Sequence, residues 1–390
     1  MEGDNRHSDW WKWEGKGALK YKSGAACRHY ELFKSDFDLA KSLNHNAHRL
    51  SIEWGRVEPV EGHFSQEEID HYVDVVDALR ERGIEPIVTL HHFTNPAWFT
   101  AKGGWLHKDS REQFLRYTEK LVSALCGKVN FWVTINEPIV YSYHSYVIGL
   151  WPPQKKAFAN LKKVRKELVS VHIAAYRLIH TIYQKRNLPS PRVGIAHNVQ
   201  FFESRNNSLI NKLAVFLRNR LYNFGIIDEL TRAGMLDYIG LNYYTRSVAD
   251  VKSLRYYHLL HDGPDKPDPA VKKNLLGWDI YPKGLYELCL RFKKYELPIY
   301  ILENGICTDD DGQRWDYIKE HLKAIHAAIR AGVNISGYLY WSLLDNYEWH
   351  EGFRPRFGLI DVNYATFKRT VRGSAEKFAL VCKSGELSQE

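Results

Sequence analysis

The sequence predicts an α/β chain folded as a closed (β/α) barrel, and three observations carry this. Amphipathic helical stretches end at a glycine and pass at once into short apolar strands. This unit recurs along the chain with no Pro/Ser-rich linker to divide it. Polar residues of unusual type fall where the strands end, which is where such a barrel gathers its chemistry. At 390 residues, 44% of them hydrophobic, the chain has material for two ordinary domains or one barrel. The unbroken repeat favours a single catalytic barrel domain over residues 1–390.

Ala47 to Trp54 is the first strand candidate. Ser65 to Arg82 then carries Ile69, Val73, Val76 and Leu79 at helical spacing, closes at Gly83 and leads into the strand Ile84 to Leu90. Ser110 to Cys126 closes at Gly127 before the strand Val129 to Ile135. Arg192 to His197, Leu236 to Tyr243 and Pro298 to Leu302 are further strands. Ile318, Leu322, Ile325 and Ile329 mark a last helix, which reaches Gly332 and the strand Ile335 to Trp341. Glycine suits each helix end because it takes positive φ without a Cβ clash. Seven strands result.

Charge and cysteine usage narrow the partners. The formal charge is +8, from 54 basic and 46 acidic residues. Yet the densest basic run, Lys162-Lys163-Val164-Arg165-Lys166, leads into Leu168, Val171 and Ala175 at helical spacing, so it reads as a solvated helix face, and no nucleic-acid partner is expected. Five cysteines, odd in number and without a CxxC pair, fit a reduced, cytoplasmic chain. No leader-like segment and no apolar run long enough to cross a bilayer is present, so no membrane partner is expected, and the sequon Asn206-Asn207-Ser208 is a chance match. The aromatic content of 14% is mostly packing, with some rings free to act as sugar platforms.

Two short segments carry the chemistry. Thr134-Ile135-Asn136-Glu137-Pro138 and Ile301-Leu302-Glu303-Asn304-Gly305 each place a glutamate at the end of an apolar, β-branched run, where packing gives a carboxylate no reason to sit. A strand-end ion pair is the structural alternative for either residue. Two acids at a barrel mouth are the minimum for cleaving a glycosidic bond, since one protonates the leaving oxygen and the other attacks the sugar carbon. His91-His92 lacks the HExxH spacing of a zinc helix and no acid/His cluster supports it, so neither metal nor cofactor is expected.

These two motifs stand in order with His48-Arg49-Leu50-Ser51-Ile52-Glu53-Trp54, His91-His92-Phe93, Gly240-Leu241-Asn242-Tyr243-Tyr244, Trp341-Ser342-Leu343-Leu344-Asp345-Asn346-Tyr347-Glu348-Trp349 and Arg356-Phe357-Gly358-Leu359. Together they resemble glycoside hydrolase family 1 from about Glu2 to about Ala375. The resemblance implies an eight-stranded (β/α)8 TIM barrel and a retaining exo-β-glycosidase acting on a β-linked glucoside or oligosaccharide, with β-galactosides and β-fucosides as further substrates. It implies Glu137 as acid/base and Glu303 as nucleophile, with Arg49 and Tyr244 holding the nucleophile ionised. Asn136 is then the 2-hydroxyl ligand, with Asn242 a second contact and His92 a hydroxyl ligand. Trp341 is the sugar-stacking floor, for which core packing is the plain alternative. Glu348 and Trp349 bind hydroxyls at the far side, and Phe357 joins the substrate-binding set. Phe93 stands where many members carry Trp. Glu348 would repel a phosphate, so a plain hexoside is expected.

The chain departs from the family pattern at its start. Members begin with a strand ending in a sugar-contacting glutamine shortly before a Glu-Gly pair, whereas this chain begins Met1-Glu2-Gly3. The first strand is therefore expected to be missing, through a late-assigned start or a truncation rather than a true seven-stranded design. The open edge makes a homo-oligomer an option, and the alternative function is a noncatalytic or impaired glycan-binding barrel. The stretch Phe201 to Asp237 is compact for the family and the loop Ala249 to Asn274 is polar and Pro-rich, so different substrate-access loops are expected.

Overall fold

Seven parallel strands, one from each predicted segment, pair in chain order in the computed structural model, which describes residues 2–17, 19–249, 251 and 271–387. They are β1 (Ala47–Ser51), β2 (Glu85–His91), β3 (Phe131–Asn136), β4 (Arg192–Ser204), β5 (Ile239–Ala249), β6 (Ile299–Asn304) and β7 (Ile335–Tyr340). The principal helices are α1 (His29–Ser42), α2 (Gln66–Glu81), α3 (Ser110–Leu125), α4 (Pro138–Tyr146), α5 (Phe158–Lys185), α6 (Leu209–Arg218), α7 (Pro282–Phe292), α8 (Asp311–Arg330) and α9 (Gly373–Ser384). An antiparallel hairpin of β8 (Ile360–Val362) and β9 (Arg369–Val371) precedes α9. The architecture is a nearly closed parallel barrel wrapped by helices.

The predicted helix boundaries hold for local reasons. Ser65 accepts the Glu68 N–H at 3.2 Å and starts α2. Gly83, Gly127 and Gly332 turn the chain out of α2, α3 and α8 at φ of 67°, 87° and 81°. The sequon Asn206-Asn207-Ser208 is the start of α6, with the Asn206 side-chain oxygen accepting the Ser208 N–H at 3.0 Å. Ile69, Val76 and Leu79 of α2 and Phe114 and Leu121 of α3 are buried on the barrel-facing side. Inside the barrel, Ile87, Phe131, Val133, Ala196, Tyr238 and Leu302 pack in one cluster that fills its base. Of these, Ile87, Phe131, Val133 and Leu302 each contribute about 1.5–3 kcal/mol by leaving water.

Two strands run past their predicted ends. β4 was expected to stop at His197 and β5 at Tyr243, because polar residues interrupt the apolar runs there. Their backbones keep pairing beyond a register shift between Val199 and Phe201, from Phe201 opposite Arg246 to Ser204 opposite Ala249. Hydrogen bonding, which the apolar pattern does not report, sustains the extension. In the other direction, β1 ends at Ser51, and Trp54 opens a short helix to Val57. The polar loop Ala249 to Asn274 lies mostly outside the described residues.

Among the described residues the sheet has seven staves, with β1 at one end and β7 at the other. A cavity of about 130 Å³ lies between them, lined by Ala47, His48 and Arg49 on one side and Tyr338, Leu339 and Tyr340 on the other. No position of β7 is fully buried, whereas every position of β3 is. A strand with a neighbour on one edge only keeps this partial exposure.

Candidate active site

A cavity of about 770 Å³ opens at the C-terminal ends of the strands. His92, Phe93, Asn136, Glu137, Tyr244, Glu303, Trp341, Glu348, Trp349 and Phe357 all line it. Arg49 and Asn242 stand behind the lining and reach it through hydrogen bonds. The twelve residues singled out from sequence thus come together around one space.

Glu303 is the penultimate residue of β6, and the backbone beyond it is tightly drawn. A Cβ on Gly305 would lie 1.8 Å from the Trp341 carbonyl oxygen, so only glycine lets the strand end approach the Trp341 loop. Both Glu303 oxygens are occupied: Arg49 donates from Nη1 to Oε1, and Tyr244 donates its hydroxyl to Oε2 at 2.6 Å. The Arg49–Glu303 pair is almost fully enclosed, which makes the pairing obligatory, because a lone charge at this depth would be strongly disfavoured. Arg49 also donates from Nη2 to Asn136 Oδ1 at 2.6 Å and from Nε to Thr89 at 3.0 Å. Burial, reinforced by the Glu303 charge, pushes the Tyr244 hydroxyl well above its ordinary value, so it stays a donor.

Glu137 ends the strand of β3 in a left-handed conformation, φ 43°, immediately before Pro138 at the first position of α4. Its N–H donates to the Ala196 carbonyl at 2.7 Å, which ties the turn to β4. The Asn198 and Asn242 amides each donate to Oε1 at 2.9 Å. Burial, and next the Glu303 charge, raise the carboxyl to about 8, against the pull of these two amides. A carboxyl raised to about 8 faces the same cavity as one whose two oxygens are held by Arg49 and Tyr244. Such a pair can give a proton at one face of a bound group and attack at the other.

Asn136 is oriented by its neighbours. Its Oδ1 accepts from Arg49 and from Asn242, the latter at 3.2 Å, so its Nδ2 is a buried donor with no protein partner on the wall of the cavity. That is a site for a ligand oxygen.

Aromatic rings form the rest of the wall. The Trp341 indole N–H donates to Glu348 Oε1 at 3.1 Å, and burial pushes the Glu348 carboxyl up to about 7 against that bond. His92 lies 6.1 Å from Trp341 and 5.6 Å from Trp349 by ring centroid, with Nδ1 3.0 Å from the Ser51 hydroxyl. Burial and the nearby Arg49 keep its imidazole neutral. Phe93 packs between Trp151 and Trp349, at 4.8 and 5.0 Å, and Phe357 lies edge-on to Tyr244. The loop carrying Trp341 to Trp349 is pinned through buried Asp345, which accepts from Arg356 at 3.1 Å, Arg372 at 2.8 Å and the Gly358 N–H at 2.8 Å.

Sequence reasoning missed Asn198, Tyr222 and Trp278, which also line the cavity. Tyr222 donates to Asn198 Oδ1 at 2.6 Å, which turns the amide nitrogen toward Glu137. Asn198 gave the same signal as Asn136, a polar residue just past an apolar strand, one position beyond the predicted end. Trp278 follows a polar loop and carried no signal. Among the described residues, no three His, Cys, Asp or Glu side chains come together to hold a metal ion.

The sequence profile of Glycosyl hydrolase family 1 matches residues 4–234 and 218–386. Beta-glucosidase A of Thermotoga maritima is 31% identical over 396 residues, covering 93% of this chain and 88% of the relative. A beta-glycosidase from Pyrococcus horikoshii superposes with a TM-score of 0.91 at 37% identity, covering 100% of this chain and 92% of that one. A beta-glucosidase from Thermotoga maritima in complex with glucoimidazole superposes with a TM-score of 0.88 at 28% identity, covering 98% and 95%. Matched over nearly its whole length in sequence and in fold, and carrying paired carboxyls at the barrel mouth, this chain belongs to glycosyl hydrolase family 1 and is a glycoside hydrolase.

Proposed function

We propose that the chain, as one catalytic domain over residues 1–390, is a retaining exo-β-glycosidase of β-glucosides, with β-galactosides and β-fucosides as further substrates. The observation that carries this reading is the contrast between the two glutamates: Glu137 raised to about 8, Glu303 saturated by Arg49 and Tyr244. In the first step Glu303 attacks the anomeric carbon while Glu137 gives its proton to the leaving oxygen, and a glycosyl ester forms. Once esterified, Glu303 carries no charge, and the second cause of the raised Glu137 value disappears. Glu137 can then take the proton of the water that hydrolyses the ester. The free Nδ2 of Asn136 meets the 2-hydroxyl, held in line by the same arginine that holds the nucleophile. Trp341 supplies the apolar floor, and Glu348, Trp349 and His92 bound the far end. Where it is ionised, above about 7, the Glu348 carboxyl disfavours a phosphorylated sugar.

The glucoside assignment draws on the named relatives, a β-glucosidase and a β-glucosidase bound to glucoimidazole. Five cysteines, none of them in a disulfide, support a reducing, cytoplasmic setting. No observation favours the noncatalytic reading. The experiment is proton NMR of the sugar first released from an aryl β-glucoside. The β-anomer appearing first supports double displacement, and the α-anomer appearing first overturns it.

A further inference from the structure

Helix α6 is built inside out. Leu209, Ile210, Leu213, Phe216 and Leu217, with Leu221 one turn further, are exposed to 84, 55, 56, 58, 40 and 61%. The opposite face buries Asn211 and Arg218, the first bonded to Asn206 at 3.0 Å and to the Val251 N–H at 2.9 Å, the second over the Phe202 ring. A helix on a water-facing surface shows the reverse order. An exposed apolar face of this extent marks an interaction surface.

Charge selects the partner. No Asp or Glu occurs from residue 204 to residue 227, and exposed Lys212 and Arg220 flank the apolar residues. The basic run Lys162-Lys163-Val164-Arg165-Lys166 of α5 lies beside the helix Gly225–Arg232 that the chain enters after α6, since Arg165 donates to the Gly225 carbonyl at 3.0 Å and to Glu229 at 2.9 Å. Lys162, Lys163 and Lys166 are exposed there. A second copy docked on this face about a two-fold axis would set basic groups against basic groups. An anionic lipid surface satisfies both halves at once, since the apolar face enters the acyl boundary and the lysines and arginine meet head groups. Such a helix lies in the surface and needs no membrane-spanning length, so the lack of a spanning helix among the described residues does not bear on it.

We infer that α6 docks the enzyme on anionic lipid membranes, with Leu213 and Phe216 inserted and Lys212 and Arg220 on the head groups. The helix begins shortly after Arg205, which lines the catalytic cavity, so the docked enzyme holds its cavity mouth near the surface.

The test is sedimentation of the whole chain with vesicles of equal parts phosphatidylcholine and phosphatidylglycerol, beside vesicles of phosphatidylcholine alone. The expected result is binding at least about tenfold tighter to the anionic vesicles, weakening as salt is added. Leu213→Glu with Phe216→Glu should cut that binding at least about tenfold with an unchanged circular dichroism spectrum. Lys212→Glu with Arg220→Glu, which leaves the apolar face intact, should remove the preference for anionic lipid. Absence of vesicle binding, or binding indifferent to both variants, overturns the inference. So does a dimer in sedimentation equilibrium that the Leu213/Phe216 variant dissolves while vesicles are ignored, because the face would then cover a second copy.

Discussion

Tyr244 donates its phenolic proton to Oε2 of Glu303 at 2.6 Å, the oxygen that Arg49 leaves free. Negative charge leaves Glu303 as it attacks in the proposed mechanism, so this donor acts by holding the carboxyl in line for attack rather than by meeting developing charge, and misplacement of a reacting group costs about 10²-fold. Tyr244→Phe keeps the ring and loses the donor, so kcat/KM on an aryl β-glucoside should fall about 100-fold with thermal stability little changed. A loss below about threefold would remove Tyr244 from the catalytic set.

The two glutamates should separate by leaving group. Glu303→Gln removes the proposed nucleophile and should abolish turnover on every glycoside. Glu137→Gln removes the proton donor, so cellobiose or an alkyl glucoside should suffer by orders of magnitude more than dinitrophenyl β-glucoside, whose leaving group departs without help. Steady-state kinetics on a leaving-group series reads this directly, and equal losses across the series would contradict the assignment.

Glu137 sets both a rate and a stability profile. With its carboxyl raised to about 8, kcat/KM should decline as pH rises through that value, because the proton to be donated is lost. The folded value lies above the ordinary 4.5, so the folded state binds the extra proton between 4.5 and 8. The stability contribution of this group is therefore full below about 4.5 and is lost as pH rises toward 8. Glu137→Gln removes the titrating group. Its melting temperature should exceed the parent's by several degrees near pH 9, and the gap should close near pH 4, as calorimetry across that range would show.

Asn198 tunes that same carboxyl. Its amide favours the ionised form of Glu137, so Asn198→Ala should move the basic limb of the pH–rate profile upward, and Tyr222→Phe should do the same more weakly by releasing the Asn198 amide. A limb that stays in place in Asn198→Ala would show that the amide does not reach Glu137 in solution.

Part of this site was legible because two strands announce their own ends. Glu137 and Glu303 stand out one at a time, as carboxyls where an apolar run stops, whereas Arg49 and Asn242 were read only from the likeness of their motifs to the family's. What was illegible depends on neighbours. That Asn198 meets Glu137 follows from the pairing of β3 with β4, which sets Asn136 opposite Ala196, and no local pattern encodes it. That β4 and β5 continue to Ser204 and Ala249 follows from mutual backbone bonds rather than from side-chain alternation. The inverted face of α6 is invisible to periodicity, which reports amphipathicity but not which side faces out.

The seam between β1 and β7 has a consequence for how the enzyme dies. Arg49 rides on β1 and Trp341 follows β7, so the ion partner of the proposed nucleophile and the proposed sugar floor flank the one line of the described wall where neighbouring staves are not paired. Opening along that line needs no break in the ladder from β1 through β7, yet it pulls the guanidinium from Glu303. Warming should therefore silence the enzyme while most of its helices and strands still stand, with loss of function running ahead of loss of shape.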